Sequence, residues 1–418
     1  MGAYWHPFSD MAAVDAAGPL VIAEGDGAYV TDEAGRRYLD ATAGLWFCNV
    51  GHGRAELADA ASVQLRRLAA YSTFGDLATR PTLELAERLS ELAPVPGSRV
   101  FLTNGGSDSV DTAVKMARRY WQLAGRPEKT VVISRRHAYH GMHVGGTSLA
   151  GIPGNRVGYG GLLGDVEHVP WDDAHALAEV LDATGPDRVA AFFCEPVIGA
   201  GGVFPPPEGY LTSVEKICRD RDVLLVADEV ITGYGRIGGA WFGSTRFGLQ
   251  PDLVTGAKGV TSGYAPLGTV MVAPWVAERF RQPGAGMFRH GYTYSGHAMA
   301  CAVALANLDL IEREHLLAEA ARLERTLDVE LGVLTDHCLV SEVRSGTGAL
   351  AAVQLDPAAL ASEPGLPQRT VLALREHGVI SRGLATGGLQ ISPSFVTTDA
   401  DVQLLVSALR AALDDVHP

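Results

Sequence analysis

The 418 residues are 47% apolar and 20% charged, proportions of a globular chain with two or three packing units rather than a disordered chain or a fibre. Against 34 basic residues stand 48 acidic ones, and a net charge of −14 gives little support to a nucleic-acid or anionic-membrane partner. No apolar run nears the ~20 residues of a membrane span, the start lacks a signal-peptide layout, and five scattered cysteines without a CxxC pair argue for a reducing cytoplasm rather than a disulfide framework or zinc site.

In the first sixty residues LVIAE, AYVT and RRYLDA alternate with Gly25-Asp26-Gly27 and Asp32-Glu33-Ala34-Gly35, which predicts a small antiparallel meander. The middle is different. Apolar runs at 99–103, 130–134, 189–196, 223–230, 252–257 and 268–273 alternate with amphipathic segments such as 107–123 and 209–221. Strands apolar on both faces predict a largely parallel, buried sheet. From about 298 the pattern turns helical, followed by a strand-like GALAAVQL, a helix near 366–378, VISRG, and a last helix from about Asp399. The expected architecture is α/β: a large domain at 63–311 and a smaller α+β domain built from both chain ends, 1–62 and 312–418.

Ligands of open α/β sheets gather at the carboxyl ends of strands. After RVFLT, Asn104-Gly105-Gly106-Ser107 opens onto a helix whose free N–H groups and dipole suit a phosphate. The plainer alternative is a tight turn capped by Ser107 or Asp108. Neither GxGxxG nor GKS/GKT occurs, which argues against a nicotinamide oxidoreductase and a P-loop. After TVVIS, Tyr139 is placed to stack on a planar ring or simply to lie under a loop. His137, His140 and His143, spaced by three, lack a second ligand cluster, so no metal is expected. After VLLVA, Asp228 ends an apolar strand, where its charge needs a salt bridge, a cap or a cationic ligand group.

Only four residues are lysines, against thirty arginines. Lys115 sits on a helix among arginines, Lys129 in the polar turn GRPEKT, and Lys216 on a polar helix face. Lys258 follows the apolar DLVTGA, lies one residue from Gly259 and two from Gly256, and has no charged residue within five positions. A desolvated amine has a lowered pKa and becomes a usable nucleophile, although a structural lysine capping a loop has the same look. Phosphate turn, aromatic plate, buried acid and isolated amine together are what pyridoxal 5′-phosphate needs.

The segments TNGGSDSVDTAVKMARRYW, HAYHGMHVGGTSLAG, EPVIGAGG, ADEVITGYGR, PDLVTGAKG and GYTYSGHAMACA resemble the class III pyridoxal-phosphate aminotransferases, which include the ω-transaminases and amine:pyruvate enzymes. The likeness extends from His6-Pro7-Phe8 and DEAGRRYLDATAGLW to SRGLATGGLQISPSF. It implies fold type I, with a mostly parallel sheet of the seven-stranded type, and a homodimer with shared active sites; pairing into tetramers is left open. It implies ping-pong transfer from an amine or ω-amino acid to a pyruvate-like keto acid, through a Lys258 aldimine and pyridoxamine phosphate. Asp228 would pair with the ring nitrogen, Tyr139 and Val230 would sandwich the ring, and His140 and Glu195 would support the cofactor. Gly106 and Ser107 would bind phosphate, joined by Thr293 from the other subunit. Trp46, Phe74, Tyr139, Ala200 and Arg382 would line the substrate pocket, Arg382 as the switching arginine. Two departures stand out: the phosphate turn lacks the family's first serine, and Phe47 follows Trp46 where amine:pyruvate relatives carry a smaller residue. Aminomutases and decarboxylases share these residues and stay open; the intact Lys258–Asp228 pair argues against a non-catalytic scaffold.

Overall fold

A computed structural model describes residues 3–417. Its centre is a seven-stranded sheet in the order Arg99–Thr103, Gly268–Val272, Leu253–Gly256, Leu224–Asp228, Val189–Cys194, Val131–Arg135, Val166–Val169. Only Gly268–Val272 runs antiparallel to its neighbours; the other pairings are parallel. Strands such as Val189–Cys194 and Leu224–Asp228 are buried along their whole length, as their unbroken apolar runs require. The helix Gly106–Leu123 lays Val110, Ala113, Val114, Ala117 and Trp121 onto the sheet at helical spacing, and the Trp121 indole donates to Ala190 O at 2.8 Å. Truncating such a buried tryptophan costs ~3–5 kcal/mol.

The predicted meander is present as Ile22–Asp26, Tyr29–Asp32 and Arg37–Asp40. The short strand Val379–Ile380 joins it in parallel beside Leu39 and Asp40, tying the C-terminal part of the chain to the N-terminal part. One apolar core unites Leu39, Leu57, Leu327, Val353, Leu389 and Leu409 from both ends. A three-stranded antiparallel sheet, Val340–Arg344, Ala351–Leu355 and Gly388–Ile391, and the final helix Asp399–Val416, opened by a Thr398–Asp401 capping box, complete this layer. Among the described residues no helix is long and apolar enough to cross a membrane.

Two local expectations change. The strand Val166–Val169 has no counterpart among the apolar runs, because in this edge strand Glu167 and His168 stand between the two valines. Lys129, expected in a polar turn, is fully buried: its ammonium donates to Pro186 O (2.8 Å) and Asp222 O (2.6 Å) and lies over the Trp121 ring.

Candidate active site

The carboxyl ends of the parallel strands open on one cavity of about 420 Å³. Gly106, Ser107, Tyr139, His140, Glu195, Asp228, Val230 and Lys258 all border it. They arrive from the ends of five strands or from the segments after them, so the sheet register sets their spacing.

The turn after Arg99–Thr103 is not capped as a simple helix start. Among the described residues no side chain accepts from the first N–H groups of Gly106–Leu123. Asp108 instead accepts from Asn104 N (3.1 Å) and pairs with His143 (2.7 Å). The helix therefore presents its N-terminal N–H groups and positive dipole end to the cavity. Gly106 packs on Val230 so closely that a Cβ would lie 2.9 Å from Cγ1. The Ser107 hydroxyl accepts from Met142 N at 3.1 Å.

Asp228 is buried, and three donors converge on it. His140 Nδ1 lies 2.7 Å from Oδ2, while Thr255 Oγ1 and Val230 N donate to Oδ1 at 3.0 and 3.1 Å. Thr255 sits directly opposite Asp228 in the parallel register. His140 is itself buried, and its Nε2 has no partner among the described residues. The three histidines diverge: His140 serves Asp228, His143 serves Asp108, and His137 leans on Phe204. Glu195 accepts from Tyr139 N (3.1 Å) and Gly199 N (3.0 Å), and burial raises its pKa above the usual carboxylate range.

Lys258 opens a single 3₁₀ turn in left-handed backbone (φ +47°), a strained conformation for a residue with a Cβ. Gly259 makes the turn possible, since a Cβ there would collide with the Asn49 amide. The Lys258 ammonium has no hydrogen-bond partner among the described residues. Burial pushes its pKa down to about 8, Asp228 and Glu195 oppose the shift, and Arg382 adds to it. At pH 7 roughly a tenth of the amine is then neutral, far more than of an ordinary lysine.

A family model, aminotransferase class-III, matches residues 11–413. The chain belongs to the class-III aminotransferases. It is 38% identical over 431 residues to the putrescine–pyruvate aminotransferase of Pseudomonas aeruginosa, covering 98% of this chain and 93% of that one. It is 35% identical over 439 residues to the β-alanine–pyruvate aminotransferase of the same organism, covering 99% and 96%. A solved thermostable (S)-enantioselective ω-transaminase from Thermomicrobium roseum superimposes with a TM-score of 0.95 at 41% identity, covering 99% and 96%. This aminotransferase is thus an enzyme of fold type I, as the resemblance of its motifs implied.

Other expected pocket residues of the aminotransferase lie elsewhere in the single chain. Trp46 is buried in an apolar cluster with Val203, Ile231 and Leu350, because Ala43, Gly44 and Trp46 all take left-handed backbone and turn the indole inward. Phe47 stands on the cavity wall instead. Ala200 packs against that same cluster. Phe74 and Thr293 are exposed and outside the cavity, on neighbouring segments joined by a Thr73 Oγ1 bond to Ser295 O (2.8 Å). Arg382 is partly buried, and its charge acts on both Tyr139 and Lys258. Its guanidinium has no hydrogen-bond partner among the described residues. Thr255 escaped the sequence reading; its one signal is a hydroxyl in an otherwise apolar strand.

Proposed function

We propose that the enzyme moves an amino group from an amine or ω-amino acid to a pyruvate-like keto acid, with pyridoxal 5′-phosphate held in the 420 Å³ cavity. The donor set fits that group. A lysine amine without a hydrogen bond, an anion fixed by three donors, an uncapped helix start and a glycine cradle against Val230 face one space. When bound, the group supplies an electron sink for charge developing at the substrate carbon.

The chain's own residues do the rest. Gly106, Ser107 and the helix N-terminus anchor the phosphate, aided by Thr293 of the partner subunit. Tyr139 and Val230 hold the ring from its two faces. Asp228 keeps a proton on the ring nitrogen, and His140 and Thr255 hold Asp228 in place. The Lys258 amine would hold the cofactor at rest and, once displaced by the substrate amine, would serve as the base that moves the proton at the substrate carbon. Arg382, without a hydrogen-bond partner, receives the acceptor's carboxylate and moves aside for donors that lack one. Phe74 joins the substrate pocket once two subunits associate, and Trp46 and Ala200 back its wall from the apolar cluster they share with Ile231, which borders the cavity.

The homodimer belongs to this proposal. Tyr71, Phe74, Leu77 and Tyr294 are large apolar side chains exposed on the adjoining segments 71–77 and 291–297, the surface a second copy would cover. The shared core of the chain ends supports a division into 1–62 with 312–418, and 63–311 as the cofactor-binding part. All five cysteines are free thiols, which fits the cytoplasm.

The observation that carries the reading is Lys258, the one lysine bordering the cavity, in the company of Asp228. A panel of amines and ω-amino acids with pyruvate or 2-oxoglutarate tests it. At least one donor should bleach the bound cofactor's visible absorbance, and a keto acid should restore it. Release of CO₂ without keto-acid turnover would overturn the proposal in favour of a decarboxylase.

A further inference from the structure

Immediately after Phe47 lies Cys48, beside a second cavity of about 210 Å³ that shares Phe47 and Gly263 with the Lys258 cavity. Cys48 and His52 both border this smaller space. Cys48 Sγ is 3.5 Å from His52 Nδ1, and His52 Nε2 is 3.0 Å from Asp40 Oδ2. Asp40 is buried and also accepts from Thr42 N (3.0 Å), Thr42 Oγ1 (2.8 Å) and Gly44 N (2.6 Å). The carboxylate therefore stays ionised and fixes the imidazole with Nδ1 turned to the sulfur. Gly25 closes over His52, where a Cβ would lie only 2.8 Å from the histidine Cβ.

The electrostatics agree with the geometry. Burial works against a charged His52, but its bonds to Asp40 and Cys48 raise its pKa to about 10. The buried Arg236 guanidinium also interacts with Cys48 and Asp40. None of the other cysteines has an imidazole within hydrogen-bond distance among the described residues. Cys48 is as buried as Cys194, Cys218 and Cys301, whose thiols burial pushes up, but it borders a cavity beside an imidazole; Cys338 is an exposed surface thiol. A thiolate, not a thiol, attacks electrophiles, and a neighbouring imidazolium is what stabilises one.

We propose that Cys48, His52 and Asp40 form a reactive-thiol site, through which small electrophiles, hydrogen peroxide above all, modify this enzyme. The Cys48 sulfur attacks one peroxide oxygen and the O–O bond breaks. The departing hydroxide takes the proton held on His52 and leaves as water. Sulfur gives up two electrons, peroxide is reduced, and Cys48 becomes a sulfenic acid. The site does not depend on the transamination chemistry, although its position makes a modification felt there. The Phe47 ring is clamped between Gly44 and Gly263, either of which would collide with it if it carried a Cβ. An added atom on Cys48 acts on that clamp from the adjacent residue.

The experiment is native-state labelling of the full-length holoenzyme with iodoacetamide, and separately with hydrogen peroxide, followed by peptide mass spectrometry. With the His52 imidazole beside its sulfur, Cys48 should react at least ~10-fold faster than exposed Cys338. His52→Asn should slow Cys48 by ~10-fold or more and leave Cys338 unchanged. Cys48 unlabelled, or labelled no faster than Cys338, overturns the proposal, as does an undiminished rate in a folded His52→Asn enzyme. Should that variant unfold, the ratio of Cys48 to Cys338 in the native enzyme still decides.

Discussion

Asp228→Asn separates the charge of this carboxylate from its shape. In the native chain Oδ1 accepts from Thr255 Oγ1 and Val230 N at 3.0 and 3.1 Å, and Oδ2 faces His140 Nδ1 at 2.7 Å. An asparagine carbonyl in the Oδ1 place keeps the first two bonds. Its amide then donates to His140 Nδ1, provided the imidazole proton sits on Nε2, the atom without a partner. Every group that bonds Asp228 in the native chain keeps a partner, so folding should lose little more than the ~1 kcal/mol by which a charge-assisted bond exceeds a neutral one. Catalysis should lose far more. Removing one preorganised electrostatic partner from a water-poor site costs ~10²- to 10³-fold in kcat, or ~3–4 kcal/mol. The two losses are measured on the same sample: single-turnover transfer from an amine, followed by cofactor absorbance, and a thermal melt. We expect a melting temperature within a few degrees of native, retained cofactor, and half-reactions slowed by at least ~10². A folded variant transferring amino groups within about threefold of native would refute the role given to Asp228.

Lys258→Leu tests the amine's environment without cofactor. Burial lowers the folded pKa from the ordinary 10.5 to about 8, so between these values the unfolded chain binds more protons and native stability rises with pH. The penalty is complete below about pH 8; cofactor-free Lys258→Leu should gain about 3 kcal/mol over native there, and the gain should fade toward pH 10.5, as read by urea midpoints. A pH-independent difference would contradict it. Arg382→Ala should raise KM for keto acids ~10- to 10³-fold and leave half-reactions of amines without a carboxylate nearly unchanged; equal damage to both would make Arg382 structural. Thr293→Ala should weaken cofactor retention, and mixed dimers with a Lys258→Ala subunit should regain one complete site in two, because Lys258 of one chain then meets an intact Thr293 of the other. Hybrids no better than the Thr293→Ala parent would place Thr293 outside the neighbouring site.

The strands that hold the site were legible because burial on both faces leaves unbroken apolar runs, as at Val189–Cys194; Val166–Val169 was not, because an edge strand needs no such run. Asp228 announced itself as an acid ending an apolar strand, but Thr255 did not, since only parallel register sets it opposite Asp228. The turn at Gly106 stayed ambiguous in sequence for a similar reason. Whether Asp108 caps its own helix or bonds elsewhere is decided by His143, thirty-five residues on. Trp46 and Phe47 show the limit of motif reading, because left-handed backbone at Ala43, Gly44 and Trp46 decides which ring reaches the cavity. The lysines carry the point furthest. Lys129 is as rare and as buried as any candidate, and its pKa is lowered to about 8, the same value as that of Lys258. Yet Lys129 donates to two carbonyls and faces an aromatic ring, so its ammonium is held in place by structure. The Lys258 amine borders a cavity and has no such bonds among the described residues, so on losing its proton it keeps a free lone pair. Rarity and burial thus fail to single out a nucleophile; an amine left unbonded beside a fixed anion succeeds.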